Sequence, residues 1–152
     1  MSYVGYVANT GATVLVSTDQ RTILGVRSGG NFGLRLKGAR VSPVSGVGSP
    51  VLVQLCACTW ATQPPGTAST EITPEQSYGL EIQPGFTAAR HWTTEPTVLS
   101  VLEEISISGA GRADWLFPLG QEPDCVEGHG FALRCTASAN VQVRASILIE
   151  RT

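Results

Sequence analysis

A strict alternation of apolar and polar residues near the end of the chain constrains the fold more than any other feature. Over Gly130–Glu150 the side chains repeat with a period of two, which is the period of a β-strand buried on one face. A small polar turn divides the segment, so we predict two strands folded back on each other. The apolar alternation of the second strand predicts a central position, with Val143 and Ile147 facing the core and Arg144 facing away.

Short strand-like segments, separated by turn residues, recur along the rest of the chain. They are ATVLVS, RTILGVR, FGLRLKGARVS, VLVQLCACTW and DWLFPLGQEP, the last an edge strand broken by Pro118. No segment is a convincing helix, and we find no internal repeat. The pattern predicts an all-β fold, a single antiparallel β-sandwich of jelly-roll type with about eight strands.

The segment VLSVLEEISISG, residues 98–109, fits two structures. Val98, Leu99, Val101, Leu102 and Ile105 would form a helical stripe. A strand would place Leu99, Val101, Ile105 and Ile107 together, interrupted by Glu103. The flanking Pro96 and SGAG turn, together with the β-branched residues, favour the strand, which we predict.

With 152 residues, the chain is most simply one domain, which we place at residues 1–152. Within it, residues 1–12 are predicted to be an N-terminal arm. Residues 61–75 are rich in Pro, Thr and Ser and are predicted to be a long exposed loop.

Charge is scarce in this sequence. Only 14% of the residues are charged, against roughly 25% in ordinary soluble domains. A surface with few charges costs little to desolvate, which favours large protein–protein contacts. The net charge of −2 and the single lysine, Lys37, argue against nucleic acid as the main partner. We find no apolar run of transmembrane length and no signal-peptide pattern, so we expect synthesis in a cytoplasm and no membrane partner.

The four cysteines do not form a recognisable metal site. Cys56 and Cys58 are two residues apart, unlike the usual C-x-x-C knuckle, and only His91 and His129 could add nitrogen ligands. A disulfide between Cys125 and Cys135 is conceivable, but without a secretory signal we favour free, buried thiols. We therefore predict no metal and no cofactor.

Catalytic motifs are also missing from the sequence, and we predict no enzymatic activity and no catalytic residues. Glu103 and Glu104 are adjacent in a strand, so they face opposite ways and cannot act on one substrate. The pair Cys125 and His129 could in principle support nucleophilic catalysis, but its spacing is that of chance. His91 is best explained as a surface or interface residue.

A resemblance to a known family is carried by structural motifs. The segment PLGQEPDCVEGHGFALRCTASANVQVRASILIE, preceded by HWTTEPT and by TILGVRSGGNFGLRLKGARVS, resembles small head-associated proteins of tailed bacteriophages. The resemblance covers Thr22–Ser42 and Trp92–Glu150. It implies a capsid decoration, or cement, protein: a β-rich structural protein, commonly a trimer, that sits on the major capsid protein in the virion and has no active site.

Under this hypothesis, the surfaces that contact the shell or a neighbouring subunit remain to be assigned. The apolar N-terminal segment and one aromatic segment are our candidates, namely Tyr3, Val4, Tyr6, Val7 and Trp92. We expect a homotrimer, because a trimer suits a local three-fold axis of a capsid.

The alternative hypothesis is a carbohydrate- or receptor-binding β-sandwich, from a phage tail or fibre or of lectin type. It would use Trp60, Trp92 and Trp115 as a stacking platform for sugars. The sequence has no paired aromatic spacing that would make such a face visible.

Overall fold

The computed structural model describes residues 3–11, 14–44, 49–60, 70–90, 92, 95–108 and 111–152. This part of the chain contains thirteen β-strands and no helix, so no helix within it could cross a membrane. The strands are β1 (Gly5–Asn9), β2 (Val14–Val16), β3 (Arg21–Arg27), β4 (Leu34–Pro43), β5 (Val51–Thr59), β6 (Thr70–Ile72), β7 (Glu75–Tyr78), β8 (Thr87–Arg90), β9 (Thr97–Ile107), β10 (Ala113–Leu116), β11 (Asp124–Cys125), β12 (His129–Ala137) and β13 (Val141–Arg151).

The strands form two antiparallel sheets, which confirms the predicted all-β sandwich. Sheet A has the order β10-β4-β13-β1-β7, with β11 also paired to β4 and β2 to β13. Sheet B has the order β6-β8-β3-β12-β5-β9. Strands β1 and β2 both run antiparallel to β13, one after the other, so they act as a single interrupted strand.

Eight positions in this arrangement reproduce the strand order of a jelly roll. Sheet A contains β1/β2, β13, β4 and β10, and sheet B contains β3, β12, β5 and β9. Within this framework each early strand, β1/β2, β3, β4 or β5, pairs only with late strands, β9, β10, β12 or β13, as in a jelly roll. Strands β6, β7, β8 and β11 are additions to this framework.

The core lies between the two sheets and is almost entirely aliphatic. Its largest fully buried side chains are Tyr6, Phe131, Ile23, Leu24, Leu34, Leu36, Leu55, Leu133, Ile147, Ile149, Val26 and Val41. Val143 and Ile147 are buried as predicted, and Arg144 is exposed on the opposite face of β13. Strand β13 lies between β4 and β1, which confirms its central position.

The prediction that the last two strands fold back on each other is wrong. Strand β12 pairs with β3 and β5 in sheet B, whereas β13 pairs with β1, β2 and β4 in sheet A. The turn between them crosses from one sheet to the other. A period of two shows which face of a strand is buried, but it does not show which neighbour the strand pairs with.

Two predicted irregular segments also contain strands. Residues 5–9 of the proposed N-terminal arm form β1, which is paired on both sides. Within the proposed 61–75 loop, residues 70–72 form β6 and residue 75 begins β7, whereas residues 61–69 lie outside the described part. The ambiguous segment 98–109 is confirmed as a strand over its described residues, since β9 pairs with β5 along Thr97–Ile107.

Candidate functional site

Large apolar side chains are exposed along one side of the sandwich. Strand β9 ends sheet B and β10 ends sheet A, and the two lie on the same side because β4 and β5, their neighbours, face each other. The exposed residues there, which we call the apolar edge, are Leu99, Val101, Ile105, Leu116, Leu119 and Val126. Leu116 is 74% exposed and Leu119 is 89% exposed.

A depression of about 370 Å³ connects parts of this edge. Leu99 from β9 and Val126 from the segment after β11 both line it, together with Cys58, Cys125 and His129. The apolar edge is therefore not only a row of side chains but includes a concave region beside β11, into which an apolar side chain of a partner could insert.

Strand β9 is poorly suited to extending the sheet by adding another strand. Its pairing with β5 shifts register twice, between Leu55 and Cys56 and between Ala57 and Cys58, which leaves Leu102 and Leu99 as bulged positions. Bulges and charged residues are the means by which proteins protect edge strands, and Glu103 and Glu104 are exposed between the bulge and the strand end. Contacts at this edge would therefore be made by side chains.

The tryptophans do not form an exposed platform. Trp60 and Trp92 are buried and stacked on each other, with ring centroids 5.1 Å apart and planes at 27°. They cover the outer face of sheet B at Cys58, Ala89 and Ala132.

Glycines allow the two indoles to lie against the sheet. A Cβ at Gly25 would lie 2.7 Å from Trp92 Cζ2, and a Cβ at Gly130 would lie 2.7 Å from Trp60 Cζ3. Trp115 is half-buried and packs against the main core. The sugar platform proposed from the sequence is therefore wrong for Trp60 and Trp92, because their faces are already occupied.

Most of the predicted contact residues are also inside the protein. Val4 and Tyr6 belong to the main core, and Trp92 belongs to the second cluster. Tyr6 packs edge-on against Phe86, and its hydroxyl donates a hydrogen bond of 2.7 Å to the carbonyl oxygen of Ile82. Because these three side chains are buried, they are not available to contact a partner, which corrects their prediction as contact residues. Tyr3 is exposed and Val7 is half-buried, so only these two remain accessible.

The pair Cys125 and His129 lines one depression, but the thiol is not activated. Burial raises the pKa of the Cys125 thiol to about 11, so it is protonated at neutral pH and is a poor nucleophile. Burial likewise raises the pKa of the Cys56, Cys58 and Cys135 thiols. His91 lies outside the described residues.

All four cysteines are free thiols, and they are not arranged around a common ligand. Cys125 pairs with Leu34 in sheet A, whereas Cys135 lies in β12 of sheet B, so the conceivable disulfide between them is not formed. Within the described ranges, no group of three or more His, Cys, Asp and Glu side chains could hold a metal ion.

The acidic pair on β9 is separated as predicted. Glu103 is opposite Leu55 and Glu104 is opposite Gln54, so the two carboxylates lie on opposite faces of the strand. The Glu104 carboxylate accepts a hydrogen bond of 2.6 Å from Gln54 Nε2. This arrangement is structural and does not form an acid–base pair.

An ionic network on the outer face of sheet A is the most concentrated set of titratable groups. Lys37 Nζ donates to Glu122 at 2.5 Å and lies 4.0 Å from Glu150, which also accepts from Arg35 at 3.4 Å and from the Tyr78 hydroxyl at 2.7 Å. Burial and the Glu150 hydrogen bond raise the pKa of Tyr78 to about 12. The two carboxylates are matched by two cations, so the network is balanced in charge.

Comparison with protein-family models, with curated proteins and with solved structures finds no match. The site therefore has to be argued from this chain alone. The apolar edge was missed by sequence reasoning, although one signal was present: Leu116 and Leu119 flank Pro118 in a turn-rich segment, where polar residues are the norm.

Proposed function

We propose that the protein is a structural component of a phage virion that binds the major capsid protein as a decoration, or cement, protein. The observation that carries the proposal is the apolar edge, with two leucines that are almost fully exposed beside Pro118. Burying a side chain of that size in an interface contributes roughly 1.5–3 kcal/mol. A partner that covered several of them would be held firmly.

The fold and the composition support this proposal. Jelly rolls occur in viral capsid proteins, though also in lectins and cupins, so the fold alone does not decide function. The low charge of the chain, 14% of its residues, makes extensive protein contact less costly to desolvate. The resemblance to head-associated phage proteins points in the same direction, and we propose a homotrimer at a local three-fold position of the shell.

The carbohydrate-binding alternative depends on an exposed platform of tryptophans, and most of that platform is buried. Two of its three tryptophans are stacked face to face inside a cluster. The ring of Phe32, another aromatic near a surface depression, has the Arg151 guanidinium 3.9 Å above its centre. Of the three tryptophans, only Trp115 is more than slightly exposed, and it packs against the main core.

Binding to undecorated phage heads tests the proposal. The edge variant replaces both exposed leucines, Leu116→Ser and Leu119→Ser. The matched control replaces two exposed leucines elsewhere, Leu15→Ser and Leu80→Ser, which are 53% and 68% exposed. Co-sedimentation of the full chain with heads should fall at least about tenfold for the edge variant and remain unchanged for the control.

Three results would each contradict part of the proposal. Failure of the unmodified chain to bind heads would remove the virion function. Equal loss of binding in the edge variant and in the control would remove the apolar edge from the interface. Monomers on the heads, seen by cross-linking, would remove the trimer.

A further inference from the structure

A shallow basic depression lies on the outer face of sheet A. It has a volume of about 210 Å³ and is lined by Asn9, Arg40, Ser42, Arg144, Ala145 and Ser146. These residues come from the three adjacent strands β1, β4 and β13. None of them is acidic, in a chain where acidic residues outnumber basic ones.

The sheet register brings the polar side chains together. Arg144 is opposite Ser42, and Ser146 lies between Arg40 on one side and Asn9 on the other. Arg40 and Arg144 are therefore diagonal neighbours on adjacent strands, with Cα atoms about 7–8 Å apart. Long side chains at that separation can reach one small ligand between them.

An irregularity in the first strand keeps this part of the sheet open. Strand β1 ends at Asn9 and β2 begins at Val14. Between them, Thr10 donates its backbone N–H to the Ala145 carbonyl at 3.0 Å and accepts from the Ala145 N–H through its side-chain oxygen at 3.3 Å. The regular hydrogen-bond ladder along β13 is therefore interrupted next to Arg144. At this point Ala145 contributes only backbone groups to the depression.

The hydrogen-bonding groups around the depression are mostly donors. Arg144 is exposed, and its side chain has no hydrogen bond or ion pair with another described residue. Arg40 uses Nε towards Asp114, at 3.3 Å, and keeps its two terminal NH₂ groups. Asn9 already accepts a hydrogen bond from the Gly11 N–H through Oδ1, at 2.8 Å, so its side-chain NH₂ group remains to donate to a ligand.

The positive charge at this place is only partly neutralised. Asp114 is shared between Arg40 at 3.3 Å and Arg112 at 3.9 Å. Of the two arginines that line the depression, Arg40 therefore shares one carboxylate with Arg112, and Arg144 has no described carboxylate within ion-pair distance. The lining therefore carries a net positive charge, which attracts an anion.

We propose that this depression binds a tetrahedral oxyanion, a phosphate or sulfate group, held by Arg40 and Arg144 with the Ser42 and Ser146 hydroxyls and the Asn9 amide. Guanidinium groups form paired hydrogen bonds with phosphate and carboxylate oxygens alike. Five donor side chains on three strands supply more donors, from more directions, than the two oxygens of a carboxylate can accept. A tetrahedral anion matches them better.

An NMR titration of the full-length protein tests this inference without reference to phage heads. Inorganic phosphate and sulfate are added to the ¹⁵N-labelled chain, with sodium chloride at equal ionic strength as the reference. We expect saturable shifts confined to the amides of residues 9, 40–42 and 144–146. Acetate, the carboxylate probe, should bind several-fold more weakly.

Variants separate a specific site from general screening of charge. Arg144→Gln should weaken phosphate binding roughly tenfold, because it removes a charge-assisted paired contact. The matched control is Arg21→Gln, which removes an exposed arginine from sheet B. Arg144→Gln must keep the unperturbed spectrum of the remaining amides, which shows that it folds.

Several outcomes would overturn the inference. They are shifts of equal size with chloride, equal effects of the two arginine variants, or no saturable shift at all. Acetate binding as tight as phosphate binding would refute the tetrahedral class. Because no capsid is present, these results leave the proposed decoration function untouched, and loss of head binding would leave the anion site untouched.

Discussion

Strands β1 and β9 are both apolar at alternate positions, but β1 buries its apolar side chains whereas β9 leaves several of them exposed. Strand β1 lies between β13 and β7 and buries Tyr6 and Ala8 in the main core. Strand β9 is paired only with β5 among the described strands, and it leaves Leu99 and Val101 exposed. The difference arises from position in the sheet order and not from hydrophobicity.

This contrast explains why the contact surface predicted at the N-terminal segment is replaced, in our proposal, by the apolar edge. An apolar segment near the start of a chain suggests an arm that needs a partner, but β1 finds that cover in its own fold. Exposed apolar side chains instead include those of the last strand of sheet B and of the segments after β10 and β11. A contact surface is a property of the assembled sheet.

The largest expected effect comes from the same substitution on the central and the terminal strand. Val143→Asp places a carboxylate in the core of β13, where burial of an unpaired charge costs several kcal/mol and should abolish soluble folding. Val101→Asp, on β9 where the side chain is 47% exposed, should cost about 1 kcal/mol or less. Yield of soluble protein and thermal melting measure both. Similar melting of the two variants would mean that β13 is not central.

A second comparison measures how firmly β1 belongs to the core. Tyr6→Ala should destabilise the protein by about 3–5 kcal/mol, because it empties a large buried site against Phe86. Tyr6→Phe, which loses only the hydrogen bond to Ile82, should cost about 0.5–1.5 kcal/mol. Tyr3→Ala, at an exposed position, serves as the control for urea denaturation. A cost for Tyr6→Ala close to that of the control would restore the idea of a detachable arm.

The sequence predicted the fold class and the buried faces well, because both follow from local periodicity. The alternation at Val141–Ile149 identified the inward positions, and β3, β4 and β5 begin and end close to the predicted segments. The predicted central position of the last strand is also correct, since β13 lies between β4 and β1.

The features that decide function were harder to predict, because they depend on strand neighbours far apart in sequence. The burial of Trp92 requires Gly25 beneath it, sixty-odd residues earlier in the chain, and nothing local to either residue shows that contact. The exposure of Leu99 follows from the terminal position of β9. The basic depression requires the register of three strands, β1, β4 and β13.

The thiols report on the same contrast between covered and accessible regions. Cys56, Cys58 and Cys135 are buried, whereas Cys125 is half-buried beside the apolar edge. We expect iodoacetamide to modify Cys125 first in the native protein, and all four thiols without reduction after denaturation. Its rate should rise about tenfold per pH unit above neutrality and continue to rise past pH 9, because burial raises the pKa to about 11. Intact mass over time measures this, and a plateau near pH 9, or prior modification of Cys56, would contradict it.

The smallest expected effect concerns the support behind the apolar edge. Glu122 accepts from Lys37 on β4 and from the Gly120 N–H at 2.6 Å, and so ties the segment that carries Leu119 to sheet A. The Lys37 hydrogen bond lowers the pKa of Glu122 from about 4.5 to about 2. A carboxyl group with a lowered pKa contributes stability that is fully present above about pH 4.5 and is lost as the pH falls towards 2.

Urea denaturation should therefore show Glu122→Gln to be less stable than the unmodified protein near neutral pH, with the difference shrinking through this range. Glu71→Gln, on the exposed strand β6, is the matched control and should show a smaller difference. If the difference for Glu122→Gln were the same at about pH 6 and about pH 2.5, the ion pair would not be what holds this segment in place.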